Sequence, residues 1–133
     1  MDLPKTRILI VEDNADDEAL LLHQINKAQF AEQVKVIRDG LEALNFLMLS
    51  EAEHLVALFL DLKLPSLNGL LLLEKVRAHE RVRNLPVIVM TSSNSPEDLS
   101  RCAALGVSSF VQKPVSFTAF SKAIADTFHR PVI

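Results

Sequence analysis

A chain of 133 residues with 49% apolar and 23% charged residues is large enough for one buried core and is neither disordered nor in need of staples. A net charge of −3 with no Trp and no Tyr removes the electrostatic and stacking case for direct nucleic-acid binding. Cys102, the single cysteine, excludes an internal disulfide, and no apolar run approaches the roughly 18 residues of a membrane span. Met1–Val11 lacks the basic and apolar regions of an export signal, so a cytoplasmic protein without a membrane partner is expected.

Short apolar runs alternate with longer stretches of helical period, the pattern of five β–α units. Strands are predicted near Ile8–Val11, Val34–Ile37, Val56–Leu60, Val87–Met90 and Ser108–Val111. Each is short and mainly apolar or β-branched, as strands covered on both faces are, although Val34–Ile37 includes Lys35 and Ser108–Val111 opens on two serines. A helix is predicted to begin near Ala15. Another should start at Ser95-Pro96-Glu97-Asp98, with serine as N-cap and proline in the first turn, and stop at Leu105-Gly106. The last helix should bury Phe117, Phe120, Ile124 and Phe128 and turn Ala119, Lys122 and Ala123 outward. The fold class is therefore α/β, a doubly wound five-stranded parallel sheet. One domain is expected over 1–133, with its core at about 7–128, and His129–Ile133 are too few to form an output domain.

In such a sheet a crevice opens at the carboxyl ends of the strands, where the strand order reverses. Four predicted strands end in polar residues that would converge there: Glu12-Asp13, Asp61, Thr91 and Lys113. Glu12, Asp13 and Asp61 are the hard oxygen donors that magnesium prefers, and the Lys63 carbonyl could add another. With the charge compensated, Asp61 could attack a phosphorus atom, while Thr91 and Lys113 held the phosphoryl oxygens. Structural alternatives exist for each group: Glu12 and Asp13 would favour a helix start, Asp61 could cap a turn, and Lys113 could be a solvated amine. It is their joint spacing that favours a site. His23, His54, His79 and His129 are scattered without metal-ligand spacing, and Cys102 reads as a packing residue.

At these residues the chain resembles bacterial response-regulator receiver domains. The resemblance is carried by Ile8-Leu9-Ile10-Val11-Glu12-Asp13-Asn14, by Leu60-Asp61-Leu62-Lys63-Leu64-Pro65 with Asn68-Gly69, by Val89-Met90-Thr91-Ser92, and by Phe110-Val111-Gln112-Lys113-Pro114. It implies strand order 2-1-3-4-5, a flavodoxin-like receiver fold, and Mg2+ as cofactor. It further implies phosphorylation of Asp61 by a partner histidine kinase, Thr91 and Phe110 as a switch pair, and a cis Lys113-Pro114 peptide. Such a protein is a phosphoacceptor with self-phosphorylating and self-dephosphorylating chemistry rather than an enzyme in the ordinary sense. A narrower likeness, to stand-alone receivers that partner cyanobacterial phytochromes, rests on Val11-Glu12-Asp13-Asn14, the long segment between Gly40 and Asp61, Arg81–Pro86, and Pro114-Val115 with Phe117 and Phe120.

Two other readings remain at this stage. A phosphatase similar to the haloacid dehalogenase superfamily would need an acid two residues after its nucleophile, where this chain has Lys63. A receiver-like scaffold would bind partners without phosphorylation. A homodimer through the fourth helix, fifth strand and fifth helix is also expected, with Leu99 exposed between Asp98 and Arg101 and Leu71 as a rival docking spot.

Overall fold

The computed structural model describes residues 6–28 and 33–128. His129 and the segment after it lie outside the described residues. Five strands, β1 (Ile8–Val11), β2 (Val34–Ile37), β3 (Ala57–Asp61), β4 (Val87–Thr91) and β5 (Ser109–Gln112), pair in parallel in the order β2-β1-β3-β4-β5. Five helices, α1 (Ala15–Lys27), α2 (Gly40–Leu47), α3 (Gly69–Ala78), α4 (Pro96–Ala104) and α5 (Phe117–Phe128), alternate with them, and a 3-10 turn at Ser50–His54 follows α2. Every strand and order expected from the sequence is present, with ends shifted by one residue at most.

Strand residues alternate between two cores. Leu9, Val11, Leu58, Leu60, Val87 and Val89 pack with Ala43, Phe46, Leu47, Leu72, Leu73, Val76 and Cys102 of α2, α3 and α4. Ile8, Ile10, Phe59, Ile88 and Met90 pack with Leu21 and Ile25 of α1 and Phe120 and Ile124 of α5. Successive side chains of a strand point to opposite faces, so a continuously apolar strand fills both layers. That is the physical origin of the unbroken runs in the sequence.

Local chemistry fixes where the helices begin. Asn14, Asp39, Asn68 and Ser95 each take extended backbone, and each side chain accepts from the amide three residues on, at Asp17, Glu42, Leu71 and Asp98. These caps satisfy amides that have no partner inside the helix. Pro96 follows Ser95 as expected, and Gly106 ends α4 at φ 70°. No helix among the described residues is long and apolar enough to cross a membrane.

Two expectations for α5 fail: Phe117 and Phe128 are only half-buried, and a residue expected outside lies inside. Ala123 is 1% exposed, not outward, and Ala119 packs at the edge of the same core, which leaves Lys122 as the exposed member of the three. The inward stripe of α5 is Phe120, Ala123 and Ile124, one turn of i, i+3, i+4 spacing, and the small Ala123 lets the helix approach the sheet. Leu71 and Leu99 are exposed, as the sequence implied.

Candidate functional site

The strand order reverses between β1 and β3, so the loops leaving these two neighbours diverge and leave a crevice at their carboxyl ends. Glu12 and Asp13 follow β1, and Asp61 is the last residue of β3. Carboxylate oxygens of Glu12, Asp13 and Asp61 lie within 4.8 Å of one another, with Glu12 and Asp61 buried and Asp13 exposed. Lys113, one residue beyond β5, projects its ammonium among them. Its Nζ is 2.5 Å from Glu12 Oε1, 3.0 Å from Asp61 Oδ2 and 2.9 Å from Asp17 Oδ2 on α1.

Three carboxylates therefore contact one ammonium, and the Asp13 carboxylate lies beside two of them. Burial, together with the neighbouring Asp61 carboxyl, pushes Glu12 up to about 7 although Lys113 pulls the other way. Burial alone would lower the Lys113 pKa, but its hydrogen bonds to Glu12, Asp17 and Asp61 outweigh that and hold it above the ordinary lysine value. Lys113 thus stays charged while the acids remain under-neutralised. An excess of hard oxygen donors, one of them exposed, is a set that fits a divalent cation with retained waters.

The remaining predicted residues sit on β4, on β5 and in the loop after β3. Thr91 ends β4, is fully buried, and its hydroxyl accepts from the Ser93 amide at 3.1 Å. Met90, just before it, is in register with Asp61. Phe110 on β5 is in register with Val89 and packs half-buried against the α2–α4 core. The Lys63 amide donates to Asp61 Oδ1 at 3.2 Å, which holds the acid in the turn that also carries the Lys63 carbonyl. Lys113-Pro114 is cis.

The β3–α3 loop is tied to α2 by contacts that sequence reasoning missed. Ser66 takes φ 70°, a region unfavourable for residues other than glycine, and its hydroxyl donates to Asp39 Oδ2 at 2.6 Å. Asp39 already caps α2, and hydrogen bonds from Ser66 and from the Glu42 amide hold its carboxyl below the usual range. The Gly40 amide donates to the Pro65 carbonyl at 3.0 Å. Arg77 was missed as well: its guanidinium donates to the carbonyls of Leu105, Gly106, Arg83 and Leu85, joining α3 to the far ends of α4 and β4. Asp17 and Gln24 are two further omissions. Each is a polar residue on the inward side of α1, and that mismatch was the available signal.

A parallel sheet in this order, with an acid cluster and a lysine at the switch point, is the arrangement of a receiver. Residues 8–125 match the response regulator receiver domain family, and the chain belongs to that family of two-component signalling proteins. It is 34% identical over 122 residues to a probable methanogenesis regulatory protein, FilR2, of Methanothrix harundinacea, covering 90% of this chain and 79% of that protein. Among solved structures it is similar to the bacteriophytochrome response regulator AtBRR, at 42% identity over 98% of both chains with a TM-score of 0.79. It is also similar to the Mn(2+)-bound form of response regulator Rcp1, at 27% identity over 98% of both chains with a TM-score of 0.78. The narrower likeness to phytochrome-associated receivers thus has counterparts of known structure.

Proposed function

We propose that Asp61 accepts a phosphoryl group from the phosphohistidine of a partner kinase, a phytochrome-type kinase being the favoured donor given the likeness to AtBRR. The observation that carries this reading is the buried Asp61 carboxylate at the end of β3, within 4.8 Å of the oxygens of Glu12 and Asp13 and 3.0 Å from an ammonium. A carboxylate oxygen of Asp61 forms a bond to phosphorus as the bond from phosphorus to the imidazole nitrogen breaks, and the electron pair of that bond stays on the imidazole. Glu12, Asp13, Asp61 and the Lys63 carbonyl would hold Mg2+, which when bound offsets their charge and draws phosphoryl oxygens to Asp61. Lys113 gives a second, fixed positive charge for those oxygens, and the Thr91 hydroxyl donates to a third position on them. Little covalent work is asked of the protein, since phosphoryl transfer depends chiefly on alignment and charge compensation.

The phosphorylated state would be read out by contact with another protein, with Thr91 drawn toward Asp61 and Phe110 turning into the vacated space. A ligand shifts such an equilibrium only by the difference in its contacts with the two states. The surface of α4, β5 and α5, where Leu99 is exposed, would carry the contact, including a homodimer.

Incubation with acetyl phosphate and magnesium is expected to add one phosphoryl group, labile in base, that Asp61→Asn eliminates. Modification surviving in Asp61→Asn would overturn the assignment, and turnover of donor with no phosphorylated protein accumulating would favour a phosphatase instead.

Glu12 supplies a pH test. Because its carboxyl titrates near 7 in the metal-free fold, protons and magnesium compete for it. Magnesium affinity should rise between pH 6 and about pH 8 and then level off, with proton release detectable by titration calorimetry in buffers of different ionisation enthalpy. Glu12→Gln should flatten that dependence; a pH-independent affinity in the unsubstituted protein would refute the role given to Glu12.

A further inference from the structure

We infer that α1 sets the position of Lys113 by gripping the segment after β5 at two points, making Asp17 and Gln24 positioning residues for phosphoryl acceptance. The inference rests on the reading of Asp61 as the acceptor and Lys113 as the holder of phosphoryl oxygens. Asp17 and Gln24 are seven residues apart on α1, two turns, and so share one face of the helix. Asp17 Oδ2 accepts from Lys113 Nζ at 2.9 Å, and Gln24 Nε2 donates to the Val115 carbonyl at 3.2 Å. Only Pro114 lies between the two gripped residues, so both ends of a three-residue segment are anchored to the same surface.

Gln24 is a costly choice for its position. It is 6% exposed and sits between Leu21 at 2% and Ile25 at 3% on a face packed against the sheet. Leucine or methionine would fill that volume with no polar group to desolvate. Gln24 Oε1 has no hydrogen-bond partner, so the residue forgoes one interaction while its amide nitrogen holds Val115. Solvation does not explain an amide there; the carbonyl two residues beyond Lys113 does.

The consequence is for the geometry of the ammonium. Lysine carries its charge on a flexible four-carbon stem, and three carboxylates compete for it in this site. When Glu12 and Asp61 turn to their other tasks, Asp17 remains as a contact on a different element. Gln24 meanwhile fixes the backbone from which the stem departs. Helix α1 also begins directly after Glu12 and Asp13, so one rigid body aligns the acids with the lysine.

The test is a double-mutant cycle read in the phosphorylation rate with acetyl phosphate and magnesium. Gln24→Met, which is near in shape, and Asp17→Asn should each slow the reaction by about 3–10-fold, while Gln24→Met leaves magnesium affinity and the thermal midpoint close to those of the unsubstituted protein. In a Lys113→Ala background the same changes should alter the rate by less than about twofold, because their effect runs through the lysine. Equal slowing in both backgrounds would show a general structural role and overturn the inference. The position of the ammonium is read separately from the nitrogen-15 signal of Lys113 Nζ, measured without donor in proteins that keep the lysine. Exchange protection that weakens in Gln24→Met supports the inference, and an unchanged signal sinks it. Failure of the unsubstituted protein to accept a phosphoryl group would count against the acceptor reading alone, with the ammonium signal still deciding the grip.

Discussion

Lys113→Met should lower the stability of the metal-free protein at neutral pH by about 3–5 kcal/mol, the usual cost of stripping one partner from a buried ion pair. The Lys113 side chain is 10% exposed, Glu12 1% and Asp61 6%, so water cannot replace the ammonium. Methionine keeps most of the stem's packing, which confines the change to charge. The pH dependence has a definite sign. Glu12 already titrates near 7, above its ordinary value of 4.5, because burial and Asp61 disfavour the carboxylate. Removing Lys113 removes the contribution that opposed this shift, so Glu12 rises further. Between about 4.5 and that raised value the folded protein binds more protons than the unfolded chain, and stability therefore falls as pH rises through the window. The deficit of Lys113→Met should be largest above pH 7 and shrink toward pH 5. Magnesium should restore part of it, since the cation supplies the missing positive charge. Urea unfolding at pH 5 and pH 8, with and without magnesium, measures all of this. A deficit equal at both pH values would mean that packing, not charge, is what Lys113 contributes.

The features legible in the sequence were those that a period or a chain end declares. Runs such as Ile8–Val11 and Val87–Met90 announced strands covered on both faces, and their polar endings located Glu12, Asp61, Thr91 and Lys113 at one rim. Ser95 before Pro96 announced the start of α4, and Gly106 its end. What stayed hidden depends on tertiary approach. Ala123 looked like an outward small residue because Phe117, Phe120, Ile124 and Phe128 already supplied an apolar stripe. In the fold Phe117 lies at the margin, with the Lys27 ammonium 4.4 Å above its ring, and the stripe rotates to include Ala123. Nothing in the local pattern marks Arg77, which bonds four carbonyls that only the folded packing brings together. Asp17 is one of the first-turn acids of α1, a place where an acid favours the helix without any further role. Its bond to Lys113, 96 residues away in the chain, comes from α1 covering the same face of the sheet as α5, the helix that follows Lys113.

Gly69→Ala should also cost several kcal/mol, about 2–4, and should damage the site as well as the fold. Gly69 opens α3 directly after the Asn68 cap, and its amide donates to the Leu62 carbonyl at 2.8 Å. A Cβ placed there would lie 2.3 Å from the Asp61 carbonyl oxygen and 2.6 Å from Leu62 Cα. Both obstacles are backbone, so neither can rotate away, and relief requires the turn carrying Asp61 to shift. Were the space open, alanine would instead favour the helix by up to about 1 kcal/mol, so the sign of the effect tests the close approach. Gly106→Ala is the informative control. There the backbone sits at φ 70° but the nearest atom is Arg77 Nε at 4.0 Å, so the cost is conformational, about 1 kcal/mol, and lies far from the acids. Gly69→Ala is therefore expected to weaken magnesium binding and slow phosphorylation, whereas Gly106→Ala changes the unfolding midpoint alone. Equal and mild effects from the two substitutions would mean that α3 does not press on the end of β3, and that Asp61 is held by the Lys63 amide and Lys113 without support from the helix behind it.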